Sequence, residues 1–118
     1  MGEPEAAGQE LRPGDVVWVE PEISVGREQA GRRPALVVAG AEYLLTVDTL
    51  ALVVPITGVN RGWPNHIEVL GSRLEHRSWA MSEQIRTISR ERIVDRAGHA
   101  SDATLSGVRT WIADFLEL

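Results

Sequence analysis

Apolar residues along the chain recur first in short runs of strand length, then change period near the C-terminus. Val16-Val17-Trp18-Val19 follows a Pro13-Gly14 turn signal and is β-branched and aromatic, which predicts a first strand. Ala35-Leu36-Val37-Val38-Ala39 predicts a second, opened by Pro34 where a strand tolerates proline. Residues 44–56 form a third β-rich stretch with a break near Asp48, and shorter strands are expected at 66–70, 78–88 and 92–97. Segments 21–33 and 57–65 lack periodicity and carry Gly, Pro and charge, so both read as loops. Leu105, Val108, Ile112 and Phe115 then fall on one helical stripe, widened by Trp111 and Leu116. Ser101 suits the N-cap and Asp102 the positive end of the helix dipole. Gly107 inside this helix costs roughly 1 kcal/mol relative to Ala, which packing must offset. Several short strands followed by one amphipathic helix predict an α+β fold, a strongly bent antiparallel sheet or partly open barrel. Residues 1–12 are polar and aperiodic and read as a flexible lead-in to a single domain over 13–118.

Composition narrows the class. The 118 residues suffice for a hydrophobic core, and 43% hydrophobic with 25% charged residues is ordinary for a globular domain. Without Cys there is neither a disulfide framework nor a thiolate metal site. The longest apolar runs are too short to span a bilayer, and the N-terminus lacks a secretory pattern, so a cytoplasmic protein is expected.

The net charge of −5 argues at first against a nucleic-acid partner. Its distribution changes that reading. Residues 1–25 hold one Arg against six acids and residues 97–118 hold one against three, whereas 26–96 hold ten Arg against eight acids. The acidity therefore lies at the ends. Every basic residue is Arg, so all positive charge sits on planar forks able to grip phosphate bidentately.

Candidate chemistry concentrates in two loops. Gly26-Arg27-Glu28-Gln29-Ala30-Gly31-Arg32-Arg33-Pro34 places three guanidinium groups and two glycines together. Pro34 biases Arg33 to an extended conformation at the mouth of a strand, where a side chain is both held and exposed. By spacing alone, Arg33 and Glu28 read first as a surface ion pair pinning the loop. Thr57 ends an apolar run just before Gly58, which suits a hydroxyl facing a cleft or one that stabilises a turn. Asn60, Arg61 and Trp63 offer hydrogen bonds, charge and a stacking face to unpaired bases. Trp63 equally suits packing. His66 alternates with Ile67, which predicts an outward-facing strand residue. His66, His76 and His99 are not at metal-ligand spacings, and no metal site is expected. No GxSxG, P-loop or GxGxxG pattern occurs.

In order and spacing, several stretches together resemble the MazF/PemK toxin family across residues 13–118. They are Gly14-Asp15-Val16-Val17-Trp18-Val19, the segment 26–38, Val54-Pro55-Ile56-Thr57 and Pro64-Asn65-His66-Ile67-Glu68. The last is Ser82-Glu83-Gln84-Ile85-Arg86-Thr87-Ile88-Ser89-Arg90-Glu91-Arg92-Ile93, which resembles the MazF branch over the gyrase-poisoning CcdB branch. The resemblance implies a small SH3-like β-barrel of the CcdB/MazF kind with a C-terminal helix, paired as a homodimer. It implies metal-independent, sequence-specific cleavage of single-stranded RNA by 2′-hydroxyl attack, leaving a 2′,3′-cyclic phosphate and a 5′-hydroxyl, with no cofactor. The family's catalytic Arg falls on Arg33 and its catalytic Thr on Thr57, and the motif Glu-Gln-x-Gly-x-Arg-Pro is intact from Glu28 to Pro34. Glu28 matches an acidic residue implicated in some members, as proton acceptor or as orienter of Arg33. Arg27, Gln29, Arg32, Asn60, Arg61, Trp63, His66 and Arg86 are the expected RNA-binding residues. Some relatives have a small residue where Arg27 stands, and several have Asp at Ser82 or Ser89, which bears on local loop shape. A guanidinium gives up its proton reluctantly, so charge stabilisation is the first role for Arg33 and proton transfer the second. The resemblance also implies a cognate antitoxin whose acidic, flexible tail lies along Arg32, Arg33, Arg61 and Arg86. The alternatives are a gyrase-binding toxin acting through its C-terminal helix and a catalytically inactive paralogue.

Overall fold

The computed structural model describes residues 10–21 and 31–118. Seven strands occur among them: β1 (Asp15–Val19), β2 (Arg33–Val37), β3 (Leu50–Thr57), β4 (His66–Glu68), β5 (Trp79–Met81), β6 (Arg86–Ser89) and β7 (Ile93–His99). Two α-helices join them, α1 (Ala41–Thr46) and α2 (Asp102–Phe115). The strands form one antiparallel sheet in the order β4-β5-β3-β2-β1-β7, with β6 also paired to β3. The expected α+β fold is present. The sheet is strongly bent and does not close: a lone bridge between Ser72 and Gly98 ties the segment after β4 to β7.

The bend has a visible cause in β3. Leu50 to Val53 pair with β6, and Ile56 and Thr57 pair with β5 on the same side, leaving Val54 and Pro55 between the two partners. A proline cannot donate a ladder hydrogen bond, so it fits at this changeover.

Side-chain alternation sends the two faces of the sheet into two cores. Val17, Val19, Ala35, Val37, Ala51, Val53, Ile88 and Ile93 fill one, with Leu44 of α1. Val16, Leu36, Val54, Ile56, Ala80 and Ala97 fill the other, beneath Val108 of α2. Because both faces are covered, β2 and β3 read as near-continuous apolar runs rather than alternating ones. The helix expected at the C-terminus forms with Ser101 as N-cap, its hydroxyl oxygen accepting from Thr104 N–H at 3.1 Å. Leu105 and Ile112 pack beside buried Val108, whereas Phe115 and Leu116, expected on the same stripe, are exposed. Thr104 secures the helix to β4: its hydroxyl donates to Glu68 O at 2.9 Å and accepts from Leu70 N–H at 3.1 Å. Among the described residues no helix is long and apolar enough to cross a membrane.

Three expectations need correction. Residues 41–46 turn into a helix instead of opening the third strand. Its terminal carbonyls are met from far along the chain, where Arg90 donates to Leu44 O, to Val47 O at 3.1 Å and to Leu50 O at 2.9 Å. The expected strand at 78–88 is β5, a 3-10 turn (Ser82–Gln84) and β6, because buried Ser82 hydrogen-bonds Asn65 O at 2.8 Å rather than extending a ladder. The strand placed at 66–70 is only His66–Glu68, and His66 faces inward. A 3-10 turn (Arg90–Arg92) likewise precedes β7.

Sequence reading also missed the polar joint at the start of β1. The Asp15 carboxylate, its side chain 5% exposed, accepts from Arg96 at 3.0 Å and His99 Nδ1 at 3.1 Å. It also accepts from Arg12 N–H at 2.8 Å.

Candidate functional site

The register of β2 and β3 places the site. Ala35 pairs with Pro55, Leu36 with Val54 and Val37 with Val53; continuing two residues outward brings Arg33 opposite Thr57. Opposed residues in an antiparallel pair share a face, and so do residues two apart along a strand. Arg33 and Thr57 therefore share the face of Ala35, Val37 and Val53, which belong to the first core. On the other side of β3, Val53 pairs with Arg86, which joins the same face. One face of the sheet is thus apolar at one end and cationic at the other.

At the cationic end lies a groove of about 1130 Å³. Arg32, Arg33, Thr57, Arg61 and Arg86 line it, five residues drawn from three stretches of the sequence. Arg92 and Gln84 also line it and were not anticipated, although both stand in the 82–93 motif. No Asp or Glu is among the described residues lining it, so the groove is locally positive in an acidic chain. Close-range field governs a bound phosphate more than net charge does, because distant surface charges are screened within about 8–10 Å.

The individual groups are held to different degrees. Thr57 Oγ1 accepts from Val59 N–H at 3.1 Å, which fixes the hydroxyl oxygen and leaves its hydrogen to donate into the groove. Arg33 is exposed, and neither it nor Arg61 makes a hydrogen bond or ion pair with described residues. Arg32 is half committed: it pairs with Asp95 at 3.6 Å and lies over the Trp18 ring at 5.5 Å. Arg92 donates to Glu20 O at 2.8 Å and so fixes the chain just before residue 22.

The other expected site residues fall elsewhere. Asn60 Oδ1 accepts from Gly62 N–H at 3.0 Å, so it shapes the loop. Trp63 is half exposed and packs on His66, with ring centroids 4.8 Å apart. His66 was expected to face outward and contact RNA, yet its side chain is 2% exposed and its Nε2 lies 3.1 Å from both carboxylate oxygens of Glu83. A substrate cannot reach it. Arg27, Glu28 and Gln29 lie outside the described residues.

Burial pushes the Glu83 carboxyl up, but hydrogen bonds from His66, its own backbone and Gln84 outweigh that and hold it below the ordinary carboxylate range. The ionised carboxylate can only accept, so Nε2 of His66 carries the hydrogen.

A bent antiparallel sheet with a guanidinium-lined groove across one end defines a small α+β protein suited to gripping a phosphodiester backbone. Comparison with known proteins agrees. A family model described as PemK-like, MazF-like toxin of type II toxin-antitoxin system matches residues 12–116. Endoribonuclease EndoA of Bacillus subtilis (strain 168) is 32% identical over 103 residues, 83% of this chain and 87% of that protein. Endoribonuclease toxin MazF of Escherichia coli (strain K12) is 36% identical over 76 residues, 64% of this chain and 66% of that protein. The crystal structure of MazE-MazF (Form-II) from Deinococcus radiodurans superposes with a TM-score of 0.78 at 26% identity, covering 92% of this chain and 96% of that one. The chain belongs to the PemK/MazF toxin family.

Proposed function

We propose that this protein is the toxin of a type II toxin–antitoxin pair and acts in the cytoplasm as an endoribonuclease on single-stranded RNA. The observation that carries the reading is the register of Arg33 and Thr57, facing one another at the ends of neighbouring strands within the arginine-lined groove. An RNA backbone along the groove places a phosphate between them. The adjacent 2′-oxygen attacks phosphorus, the P–O5′ bond breaks, and the products are a 2′,3′-cyclic phosphate and a 5′-hydroxyl. Negative charge grows on the nonbridging oxygens, where the Arg33 guanidinium and the Thr57 hydroxyl stabilise it as fixed donors. The proton leaving the 2′-hydroxyl passes to Glu28 or to water, and the departing O5′ takes a proton from water or from Arg33; where water accepts, Glu28 orients Arg33. Guanidinium groups supply the charge neutralisation, so the reaction proceeds without a metal ion.

Arg61 and Arg86 hold flanking phosphates, with Arg27, Gln29 and Arg32 on the approach. A cognate antitoxin blocks the same groove with an acidic, flexible tail, and the toxin works as a homodimer. A gyrase-binding toxin would have no use for the Arg33–Thr57 pairing. Incubation of a long structured RNA with the protein in excess EDTA tests the reading. Discrete fragments with 5′-hydroxyl ends are expected; intact RNA would overturn it.

A further inference from the structure

Two separate chain segments form flanks of the groove lining. The loop after β3 carries Arg61, and the segment from the 3-10 turn into β6 carries Gln84 and Arg86. The β4–β5 ladder ends beside them, where His66 pairs with Met81, and Ser82 N–H donates to Asn65 O at 3.4 Å. They are joined behind the groove, at the start of β4, by a compact set of polar contacts.

Asn65 Nδ2 donates to Glu83 Oε1 at 2.7 Å, and Ser82 Oγ donates to Asn65 O at 2.8 Å. His66 Nε2 donates to both oxygens of Glu83, each at 3.1 Å. Gln84 Nε2 adds a contact to Glu83 Oε2 at 3.3 Å. Trp63 closes over the His66 ring. Ser82 is buried and the His66 side chain is 2% exposed, so water competes poorly at those two ends, whereas the Glu83 carboxylate, 29% exposed, and its bond to Asn65 stay within reach of solvent. One atom of the clasp has no partner: His66 Nδ1 is buried without a hydrogen bond among the described residues. An unpaired buried nitrogen costs stability that a simple apolar contact would avoid.

We propose that Glu83 is a positioning residue for RNA capture. Through Asn65 and His66 it clasps the Arg61 loop to the Gln84–Arg86 segment and so fixes the separation of the two flanks. It touches no substrate. This rests on the RNA reading above and extends it to a residue outside the groove lining.

Loss of the clasp acts on binding and spares the chemical step, because Arg33 and Thr57 are placed by β2 and β3. Misplacement by about 1 Å can cost as much as 10²-fold, so Glu83→Ala is expected to raise KM for a short single-stranded RNA about 10-fold or more. The saturating rate should stay within about 2-fold of wild type, the pattern of lost uniform binding. With one phosphate contact loosened, the slope of log affinity against log salt becomes shallower by about 0.7. Adding Arg86→Ala to Glu83→Ala should cost less than the two changes separately, as coupled positions do. Glu83→Gln keeps an acceptor oxygen for Asn65 and His66 and should recover most of the binding.

Asn65→Ala removes one bond of the clasp and serves as the second variant should Glu83→Ala not fold. It should shift KM and the salt slope in the same direction by less. A fall in rate matched to the unfolded fraction, with KM and salt slope unchanged, would overturn the proposal. So would full additivity with Arg86→Ala. Amide hydrogen exchange in the free protein separates this from failure of the RNA reading. Faster exchange at 58–65 and 82–86 in Glu83→Ala supports the clasp even if no RNA is cut; unchanged exchange in both segments sinks it.

Discussion

The most direct test of the site is replacement of Arg33, because the structure separates its effect on rate from any effect on folding. Arg33 is exposed at the mouth of β2 and makes no hydrogen bond or ion pair with described residues. Surface substitutions of that kind change stability by no more than about 0.5 kcal/mol. A guanidinium some 4 Å from a developing phosphate charge contributes about 4 kcal/mol at an effective dielectric near 20. Removal of a fixed oxyanion donor in other enzymes costs about 10²–10³ in rate, roughly 2.7–4 kcal/mol, and the two figures agree. Arg33→Ala should therefore lose about 10²–10³ in rate and almost nothing in Tm. Arg33→Lys keeps the charge but not the planar fork and should fall between. The assay is single-turnover cleavage of a short unpaired RNA at saturating protein, in EDTA, alongside thermal unfolding. An Ala variant within about threefold of wild type would refute the assignment.

Thr57→Val preserves shape but removes the hydroxyl, and should slow cleavage by about 10²-fold while Thr57→Ser retains most activity; equal rates for the two would remove Thr57 from the chemistry. Arg90→Ala strips the cation from three carbonyls around α1 and should destabilise by about 2–4 kcal/mol in urea unfolding, with cleavage per folded molecule unchanged. Gly14 has φ of 94°, and a Cβ there would lie 3.0 Å from His99 Cε1. Gly14→Ala should cost at least 1–2 kcal/mol, roughly the left-handed penalty alone, and an unchanged unfolding midpoint would contradict the geometry. Glu83 has a carboxyl held low in the native state, so its contribution is full above the unfolded value of about 4.3 and is lost as pH falls through the lower native value. Acid titration of Glu83→Gln should therefore show a weaker loss of stability than wild type below about pH 4.3.

What the sequence made legible were the features written in local pattern. β1, β2 and α2 could be placed because their apolar periods and their caps lie within a few residues of one another. Arg33, Thr57, Arg61 and Arg86 could be nominated, but only strand register shows why they meet: residues 24 apart in sequence become directly opposed when Ala35 pairs with Pro55. The errors share a cause. Helix α1 depends on Arg90, more than 40 positions away, to satisfy its last carbonyls. His66 sits in an alternating segment that gives no warning of Glu83, 17 positions on, which draws the ring inward. Each misreading is a polar partner supplied across the fold, a signal that hydrophobic periodicity does not carry.

The absence of lysine gives these partners a common chemistry, and their hydrogen-bond partners distinguish two sets of arginines. Arg90 and Arg109 spend their forks on backbone carbonyls, Arg109 reaching Val38 O and Ala39 O at 3.0–3.1 Å, and Arg96 donates to the buried Asp15. Arg33 and Arg61 keep theirs open to the groove. The first population offsets exposed strand and helix ends; the second leaves like charges side by side in the free protein with no described acid among them. That repulsion is tolerable because the sheet, anchored by two apolar cores and by the first set of arginines, holds the groove without help from Arg33 or Arg61. A phosphate backbone then meets unengaged guanidinium groups on a sheet that need not rearrange, and the main entropic cost of binding is the rotamer freedom of those arginines. Removing Arg90 or Arg109 should therefore destabilise the fold, whereas removing Arg33 or Arg61 should leave the fold and silence the groove.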